Sequence, residues 1–341
     1  MSTKSIQKTL EYQRITVQDN LEYFKSHDIK NQETFAKDIK LSLNRESKSI
    51  SPKYFYDDCG SKLFDQICKL PEYYPYVCEL SILKNIGRDL IPHLTSYVKL
   101  VELGSGSSTK TRLLVDALFQ SQEHVEYFPI DISDVLIDSA KELCIDYKNL
   151  KVTGIIDTYE NGLDFLEDYD ETPNLITFLG SSFGNFSEKE GSDFLKRIHN
   201  LMKSSDYFLV GLDLKKDNNV LFKAYNDTRG ITAKFNLNIL ERINKELGAD
   251  FKISEFVHQA YFNESKGRVE MYLRSQSNQT VTIPKADFSL KLFKNELIHT
   301  ENSHKFTMSQ VHTIFKKSGL NIVQVWFDTK KYFVLILAKK F

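Results

Sequence analysis

Residues 97–106 read Tyr-Val-Lys-Leu-Val-Glu-Leu-Gly-Ser-Gly, a largely apolar run closed by a glycine-rich turn. Where strands alternate with helices, such a turn is the place at which a strand end meets a nucleotide-like ligand. Gly104 and Gly106 let the backbone approach that ligand closely. Thr109-Lys110-Thr111 then begins a helical pattern whose first amides face the same cleft. A pyrophosphate site wants Gly or Ala at the third position of G-x-G-x-x-G, where Thr109 stands, and an acidic residue, Glu102, lies two before the first glycine. The pattern favours S-adenosylmethionine over a dinucleotide, with a ligand-free strand-to-helix turn as the plain alternative.

Working outward, strand-like runs at 97–103, 124–131, 150–156, 174–180 and 206–213 alternate with helical ones at 110–120, 133–146 and 188–203. Ser187 and Glu190 stand at capping-box spacing and mark the start of the last of these helices. Five strands with helical crossovers predict a parallel, doubly wound sheet. A helix at 308–318 and a hairpin of 321–327 with 332–338 complete a pattern that resembles the seven-stranded, Rossmann-like sheet of class I methyltransferases. Residues 214–305 break the rhythm with a helical stretch at 217–248 and short alternating runs, an inserted α+β unit. The expected division is a polar, loosely held N-terminal arm at 1–30, a substrate-binding domain from 31–75 and 214–305, and a cofactor-binding methyltransferase domain from 76–213 and 306–341.

With 41% hydrophobic and 27% charged residues, the 341-residue chain has ordinary globular composition. A formal net charge of −1 leaves no basic excess for a phosphate backbone, so nucleic acid is not the expected partner and a small polar molecule is. Cys59, Cys68, Cys78 and Cys144 show no C-x-x-C and no paired-histidine spacing, which argues against a metal site and a disulfide framework. No stretch approaches eighteen apolar residues and the N-terminus lacks a signal-peptide core. No membrane association is expected, and the reading is a cytoplasmic, soluble monomer.

Two further strand ends carry chemistry. Phe128-Pro-Ile-Asp131 ends in a carboxylate able to accept both ribose hydroxyls of a nucleoside held on the first loop, or else to cap the helix that follows. Gly180-Ser-Ser-Phe-Gly-Asn-Phe186 leaves space beside Asn185, which offers a donor and an acceptor to a substrate amine or carboxylate, or to its own turn.

Read together, these blocks resemble the histidine-specific Nα-methyltransferases that form hercynine on the ergothioneine pathway. The resemblance runs from about Pro52 to the C-terminus. It is carried by Phe55-Tyr-Asp-Asp-Cys-Gly-Ser-Lys-Leu-Phe-Asp65, Leu70-Pro-Glu-Tyr-Tyr-Pro75, Val101-Glu-Leu-Gly-Ser-Gly106, Phe178-Leu-Gly-Ser-Ser-Phe-Gly-Asn185, Ala224-Tyr-Asn-Asp227, Thr232-Ala-Lys-Phe-Asn-Leu-Asn238, Val269-Glu-Met-Tyr-Leu273 and Glu301-Asn-Ser-His-Lys-Phe306. It implies L-histidine as the small-molecule substrate and S-adenosylmethionine as the methyl donor, leaving as S-adenosylhomocysteine, with no metal. It implies Gly104, Lys110 and Asp131 at the cofactor, beside the Glu102 and Gly106 already read from the first turn, and Tyr56 near the reacting amine. Tyr73, Asn185 and Tyr225 would hold the α-amino and carboxylate groups, and Met271, Glu301 and Ser303 the imidazole. A neutral imidazole has one N–H and one bare nitrogen, and a carboxylate and a hydroxyl two residues apart on a strand can satisfy one each. Taken singly, Glu301 reads as a solvated strand residue and Met271 as core.

The chain departs from the family after the third strand, where an acidic residue followed by an aromatic meets the adenine. Here Gly154-Ile-Ile-Asp-Thr-Tyr-Glu160 has Tyr159 as the aromatic and Thr158 in the acidic position, with Asp157 one step earlier. Either Asp157 or the Thr158 hydroxyl or backbone takes that contact. Methyl transfer from a sulfonium needs an aligned neutral amine and no nucleophilic residue, so Tyr56 is expected to orient the amine. Other amino acids or small amines as substrates, and a non-catalytic binding member of the family, are the alternatives.

Overall fold

The computed structural model describes residues 12–27, 32–94, 97–106, 108–133, 135–167 and 169–341. They divide into two compact units, one drawn from Met1–Ile29, Pro75–Leu214 and Phe306–Phe341, the other from Lys30–Tyr74 and Lys215–Lys305.

The first unit is built on a nine-stranded sheet. Its strands are β1 (Tyr12–Gln18), β2 (Leu21–Ser26), β3 (Lys99–Leu103), β4 (Val125–Asp131), β5 (Leu150–Ile156), β6 (Asn174–Phe178) and β7 (Tyr207–Asp213). The chain then runs through β8 (Phe256–Asn263), β9 (Arg268–Ser275), β10 (Gln279–Ile283), β11 (Phe288–Leu292) and β12 (Leu297–His304) of the other unit, and returns for β13 (Leu320–Phe327) and β14 (Phe333–Lys340). The order across the sheet is β1-β2-β5-β4-β3-β6-β7-β14-β13. From β2 to β7 neighbours are parallel; β14 is antiparallel to both β7 and β13. The seven strands from β5 to β13 are the class I methyltransferase sheet. Parallel strands covered on both faces need apolar residues at nearly every position, and every residue of β3 and β7 is buried. The chain passes outward from β3 through β4 to β5, then resumes on the other side of β3 with β6 and β7. That reversal opens a crevice at the carboxyl ends of β3 and β6, the place where such sheets take ligands.

The two extra strands correct one expectation. Residues 12–26 are not a loose arm: β1 pairs with β2, and β2 pairs in parallel with β5. Leu21 and Phe24 are buried, and the Phe24 ring lies 4.8 Å from that of Phe165. The outermost strand, β1, keeps most of its side chains in solvent, so the segment is polar for the reason edge strands are. Residues 1–11 and 28–30 of the expected arm lie outside the described residues. The capping box that opens Glu188–Leu201 is present, Ser187 accepting from the Glu190 amide and the Glu190 carboxylate accepting from the Ser187 amide.

The second unit holds a three-stranded antiparallel sheet, β12-β9-β8, and the hairpin β10-β11. The stretch expected as one helix at 217–248 is two, Asn218–Tyr225 and Ile231–Leu247. Asp227 breaks it by accepting from the amides of Ile231 (2.9 Å) and Thr232 (2.8 Å), which begins the second helix afresh. That helix buries Phe235, Ile239, Leu240 and Ile243 and packs on Asp58–Cys68, with the Phe235 ring 4.5 Å from Phe55 and 5.9 Å from Phe64. Asp57 caps Asp58–Cys68 through the Gly60 amide (2.7 Å) and also accepts from Asn238 Nδ2 (2.8 Å). A Cβ at Gly60 would run into the Phe55 carbonyl oxygen, so the turn admits only glycine. Among the described residues no helix is long and apolar enough to cross a membrane.

Candidate active site

In the first unit the crevice is lined by two glycine turns of the same form. Gly104 (φ +78°) leaves β3 and Gly180 (φ +80°) follows β6, and Ser108 and Ser181 also take left-handed backbone at the helical turns that come next. The side chains of Ser105 and Ser181 are buried with hydroxyls that meet no hydrogen-bond partner. A buried orphan hydroxyl is costly unless something fills its place, and these two lie in the two turns that frame the crevice. The ring of Tyr159 closes on the first turn, its hydroxyl standing where a Cβ on Gly104 would go. Donors, acceptors and close backbone approach of this kind fit a nucleoside with an amino-acid tail.

The carboxylates around this crevice are not equivalent. Asp131, at the end of β4, accepts from the Ser133 amide (3.0 Å); burial pushes its carboxyl up from the usual range against the pull of the Ser133, Gly106, Ser105 and Ile132 amides. Glu102 is spent internally, its Oε2 accepting from Tyr127 (2.6 Å) and Thr111 (2.7 Å), and burial raises its carboxyl to about 7. Through these bonds it ties β3 to β4 and to the helix Thr109–Leu118. Lys110 is held at 2.7 Å by Glu79, a fully buried residue of Tyr74–Leu90 that also accepts from the Gly180 amide. Glu79 thus joins the two glycine turns, and Gly211 on β7 leaves room for it: a Cβ there would overlap Glu79 Oε1. Nothing in the sequence around Glu79 marks it for this task.

The loop after β5, where the chain departs from the family, is held from within. Asp157 is buried, with Oδ1 accepting from the Thr158 amide (2.6 Å) and Asn161 Nδ2 (3.0 Å), and Oδ2 from the Tyr12 hydroxyl (2.6 Å) of β1. Thr158 is exposed and its hydroxyl accepts from the Asn161 amide (3.3 Å), the cap of the helix Tyr159–Glu167. Threonine and aspartate are both good caps, so Thr158 starts this helix as an acidic residue would. Asn185 ends the short turn Ser182–Asn185 beyond β6, in this same unit and half-buried.

The remaining expected residues all lie in the second unit. Tyr56, Phe64, Tyr73 and Tyr225 form an edge-to-face aromatic series with ring centroids 5.7, 6.2 and 6.3 Å apart in turn. Burial holds the Tyr73 phenol well above its ordinary value, and Tyr225, Cys68 and Glu301 add to the shift. Glu301 and Met271 are register partners on β12 and β9. A bulge at Thr300 sets the face they share: before it Ile298 and Thr300 are buried, after it Ser303 and Lys305 are, with half-buried Glu301 in phase with them. Burial raises the Glu301 carboxyl to about 7 while Lys305 draws it back, and none of the described residues donates a hydrogen bond to it.

Sequence reading missed Lys305. Its Nζ, buried, donates to Ser303 Oγ (2.8 Å) and to the Tyr225 hydroxyl (3.0 Å), and Tyr225 itself donates to Ser303 Oγ (2.7 Å). The signal was available, since Lys305 stands two residues beyond Ser303 as Ser303 stands two beyond Glu301. Behind Tyr225, His258 Nε2 lies 2.9 Å from its carbonyl oxygen and Asn236 Nδ2 2.9 Å from His258 Nδ1. The Asn236 amide can only donate, so the proton of this imidazole is on Nε2.

The sequence matches the family described as histidine-specific, S-adenosylmethionine-dependent methyltransferases over residues 35–340. It is 35% identical to the histidine N-alpha-methyltransferase of Mycolicibacterium smegmatis over 307 residues, 90% of this chain and 95% of that one. It is 37% identical to the protein of the same name from Mycobacterium tuberculosis, over 89% of this chain and 94% of that one. Ergothioneine biosynthesis protein 1 of Schizosaccharomyces pombe is 30% identical over 89% of this chain, a match that spans 40% of that longer protein.

Proposed function

The chain belongs to the histidine-specific, S-adenosylmethionine-dependent methyltransferases, and from that premise we propose that it trimethylates the α-amino group of L-histidine to hercynine, the first step of ergothioneine biosynthesis. The observation that carries the substrate reading is the pair Glu301 and Ser303 on one face of β12, an acceptor awaiting a donor beside a hydroxyl. Imidazole is the amino-acid ring that offers one N–H and one bare nitrogen.

When bound, S-adenosylmethionine supplies a methyl group on a sulfonium whose departing sulfur is neutral. In this proposal the first unit is the cofactor domain: Gly104, Gly106 and Gly180 give it backbone access, Asp131 accepts from ribose hydroxyls, and Lys110 meets its carboxylate. Thr158 and Tyr159, on a loop that Asp157 holds, border the adenine. Asn185 grips the substrate's amine or carboxylate. The second unit is the substrate domain, in which Tyr73 and Tyr225 hold the amino-acid group and Met271, Glu301 and Ser303 the ring. Tyr56 orients the neutral amine through its N–H bonds. Each methylation removes an N–H donor, so ring contacts carry a growing share of the binding, and the aromatic walls near Phe64 and Tyr73 leave space for methyls and exclude water. Action as a monomer on free histidine in the cytosol completes the proposal, in keeping with four free thiols and a formal charge of −1.

Mass spectrometry of purified protein with S-adenosylmethionine and each amino acid tests this. Gains of one, two and three methyl groups on histidine are expected. Methylation of another amino acid, or of none, overturns the substrate assignment.

A further inference from the structure

We propose that Lys305 is a specificity-determining residue that fixes Ser303 as a hydrogen-bond donor, so that the site beside Glu301 selects rings carrying a bare acceptor nitrogen. This rests on the substrate reading above and says what enforces it.

A hydroxyl has one hydrogen and two lone pairs. Tyr225 donates to Ser303 Oγ at 2.7 Å and Lys305 Nζ at 2.8 Å, so both lone pairs are occupied and the remaining hydrogen is the only polar function Ser303 offers to a ligand. Without Lys305 one lone pair of Ser303 would be open, and Ser303 could then accept from the ring as readily as donate. An ammonium has three hydrogens and nothing to accept with, and its hydrogen bond to the Tyr225 hydroxyl leaves that phenol's own hydrogen for Ser303. The ammonium also lies 4.9 Å from the centre of the Tyr225 ring, and its backbone is held by the bond from its amide to the Gly267 carbonyl (2.8 Å). Lys305 is 2% exposed, and a cation is costly to bury unless its hydrogens are used. Here one goes to Ser303 and one to Tyr225, and the first closes the last acceptor position on Ser303.

Glu301 and Ser303 therefore play opposite parts. The first, with no donor of its own among the described residues, accepts; the second donates. A neutral imidazole answers both. An indole has an N–H and no bare nitrogen, a phenyl or thienyl ring has neither, and an imidazolium has two N–H groups; each leaves the Ser303 hydrogen without an acceptor. A site built to hydrogen-bond a group discriminates strongly against analogues that lack it, because its own buried group is then orphaned.

The test compares kcat/KM for L-histidine and L-β-(2-thienyl)alanine, a five-membered ring without nitrogen, in four proteins: wild type, Ser303→Ala, Lys305→Met and the double variant. The wild type should favour histidine. Each single variant should shrink the preference by about tenfold to a hundredfold, largely through KM for histidine, with S-adenosylmethionine affinity unchanged, and the double variant should lose no more than either single one. Equal losses on both substrates in Lys305→Met, or losses that add in the double variant, would overturn the proposal. A second measurement needs no variant: NMR of [15N]imidazole-labelled histidine bound with S-adenosylhomocysteine should show one protonated and one bare nitrogen. Two protonated nitrogens would overturn it as well. A wild type that does not methylate histidine strikes the substrate reading itself, and is distinguished by the first assay alone.

Discussion

The Tyr12 hydroxyl donates to Asp157 Oδ2 and so ties β1 to the loop after β5, and Tyr12→Phe removes that bond. The ring stays, with its edge contact to Phe165 at 5.2 Å, so packing is nearly conserved. What is lost is a 2.6 Å hydrogen bond to a carboxylate that is 3% exposed and so shielded from bulk solvent. A hydrogen bond to a charged group contributes about 1.5–3 kcal/mol, which is roughly 10–150-fold in the equilibrium between the docked and the peeled hairpin. Hydrogen exchange read by mass spectrometry measures that equilibrium directly. Amides of residues 12–26 should lose protection by this factor while those of β3 and β6 keep theirs. Cofactor affinity should fall much less, because it is reduced only by the fraction of molecules whose loop is unpinned, and a mostly docked hairpin keeps that fraction small. Saturating S-adenosylmethionine should restore part of the lost protection by favouring the pinned loop. Unchanged protection in 12–26 would refute the tie, and equal loss in every strand would show a global destabilisation instead of a local one.

Three further outcomes follow from other groups. Glu301 has its carboxyl raised to about 7, so the acceptor form accumulates only as pH rises through that value; kcat/KM for histidine should rise more steeply through pH 7 in wild type than in Glu301→Gln, where only the substrate's own imidazole and amine titrate, read from pH profiles of the two proteins. A carboxyl raised in the fold also favours the folded state at low pH and gives that stability up as pH passes about 7, so Glu301→Gln should melt closer to wild type at pH 5.5 than at pH 8. Gly211→Ala puts a Cβ onto Glu79 Oε1 and 2.9 Å from the Phe333 ring; overpacking of this kind costs about 1–3 kcal/mol, and thermal melts should show the loss together with weaker S-adenosylmethionine binding as the hold of Glu79 on Lys110 and Gly180 loosens. Burial lowers the His258 imidazole below its ordinary 6.5, so its contribution is present above that value and lost as pH falls through it; the melting-point cost of His258→Gln should be smaller at about pH 5 than at pH 7.5.

The seven-stranded sheet was legible because its signals are local. A buried parallel strand is an apolar run, a ligand turn between strand and helix needs glycine where φ is positive, and a capping box has fixed spacing. Gly104, Gly180 and Ser187 satisfy those demands where the sequence places them. The hairpin β1-β2 was not legible, because an edge strand shows solvent the same polar residues a disordered arm would, and only its pairing with β5 distinguishes the two. Glu79 was illegible for a different reason. A buried acid in an amphipathic helix looks like any solvated one until Lys110, Gly180 and Gly211 are folded against it from separate elements.

The residues proposed to hold the substrate sit between these cases. Spacing correctly puts Glu301 and Ser303 on one side of a strand, but which side depends on the bulge at Thr300, where one residue of β12 has no partner on β9. Without it the phase of Ile298 would carry the buried face onto Asn302 and His304, and Glu301, Ser303 and Lys305 would turn away from Met271. No propensity marks Thr300 for a bulge, and its buried hydroxyl is left without a partner there. The residues proposed to recognise a ring are thus legible as a set, Glu301-x-Ser303-x-Lys305, by their common parity. Their direction of hydrogen bonding is not, because it depends on Tyr225, which is 78 residues from Ser303 in sequence and 2.7 Å from it in the fold. A motif gives the chemistry that is present, and the long-range contact decides which partner donates.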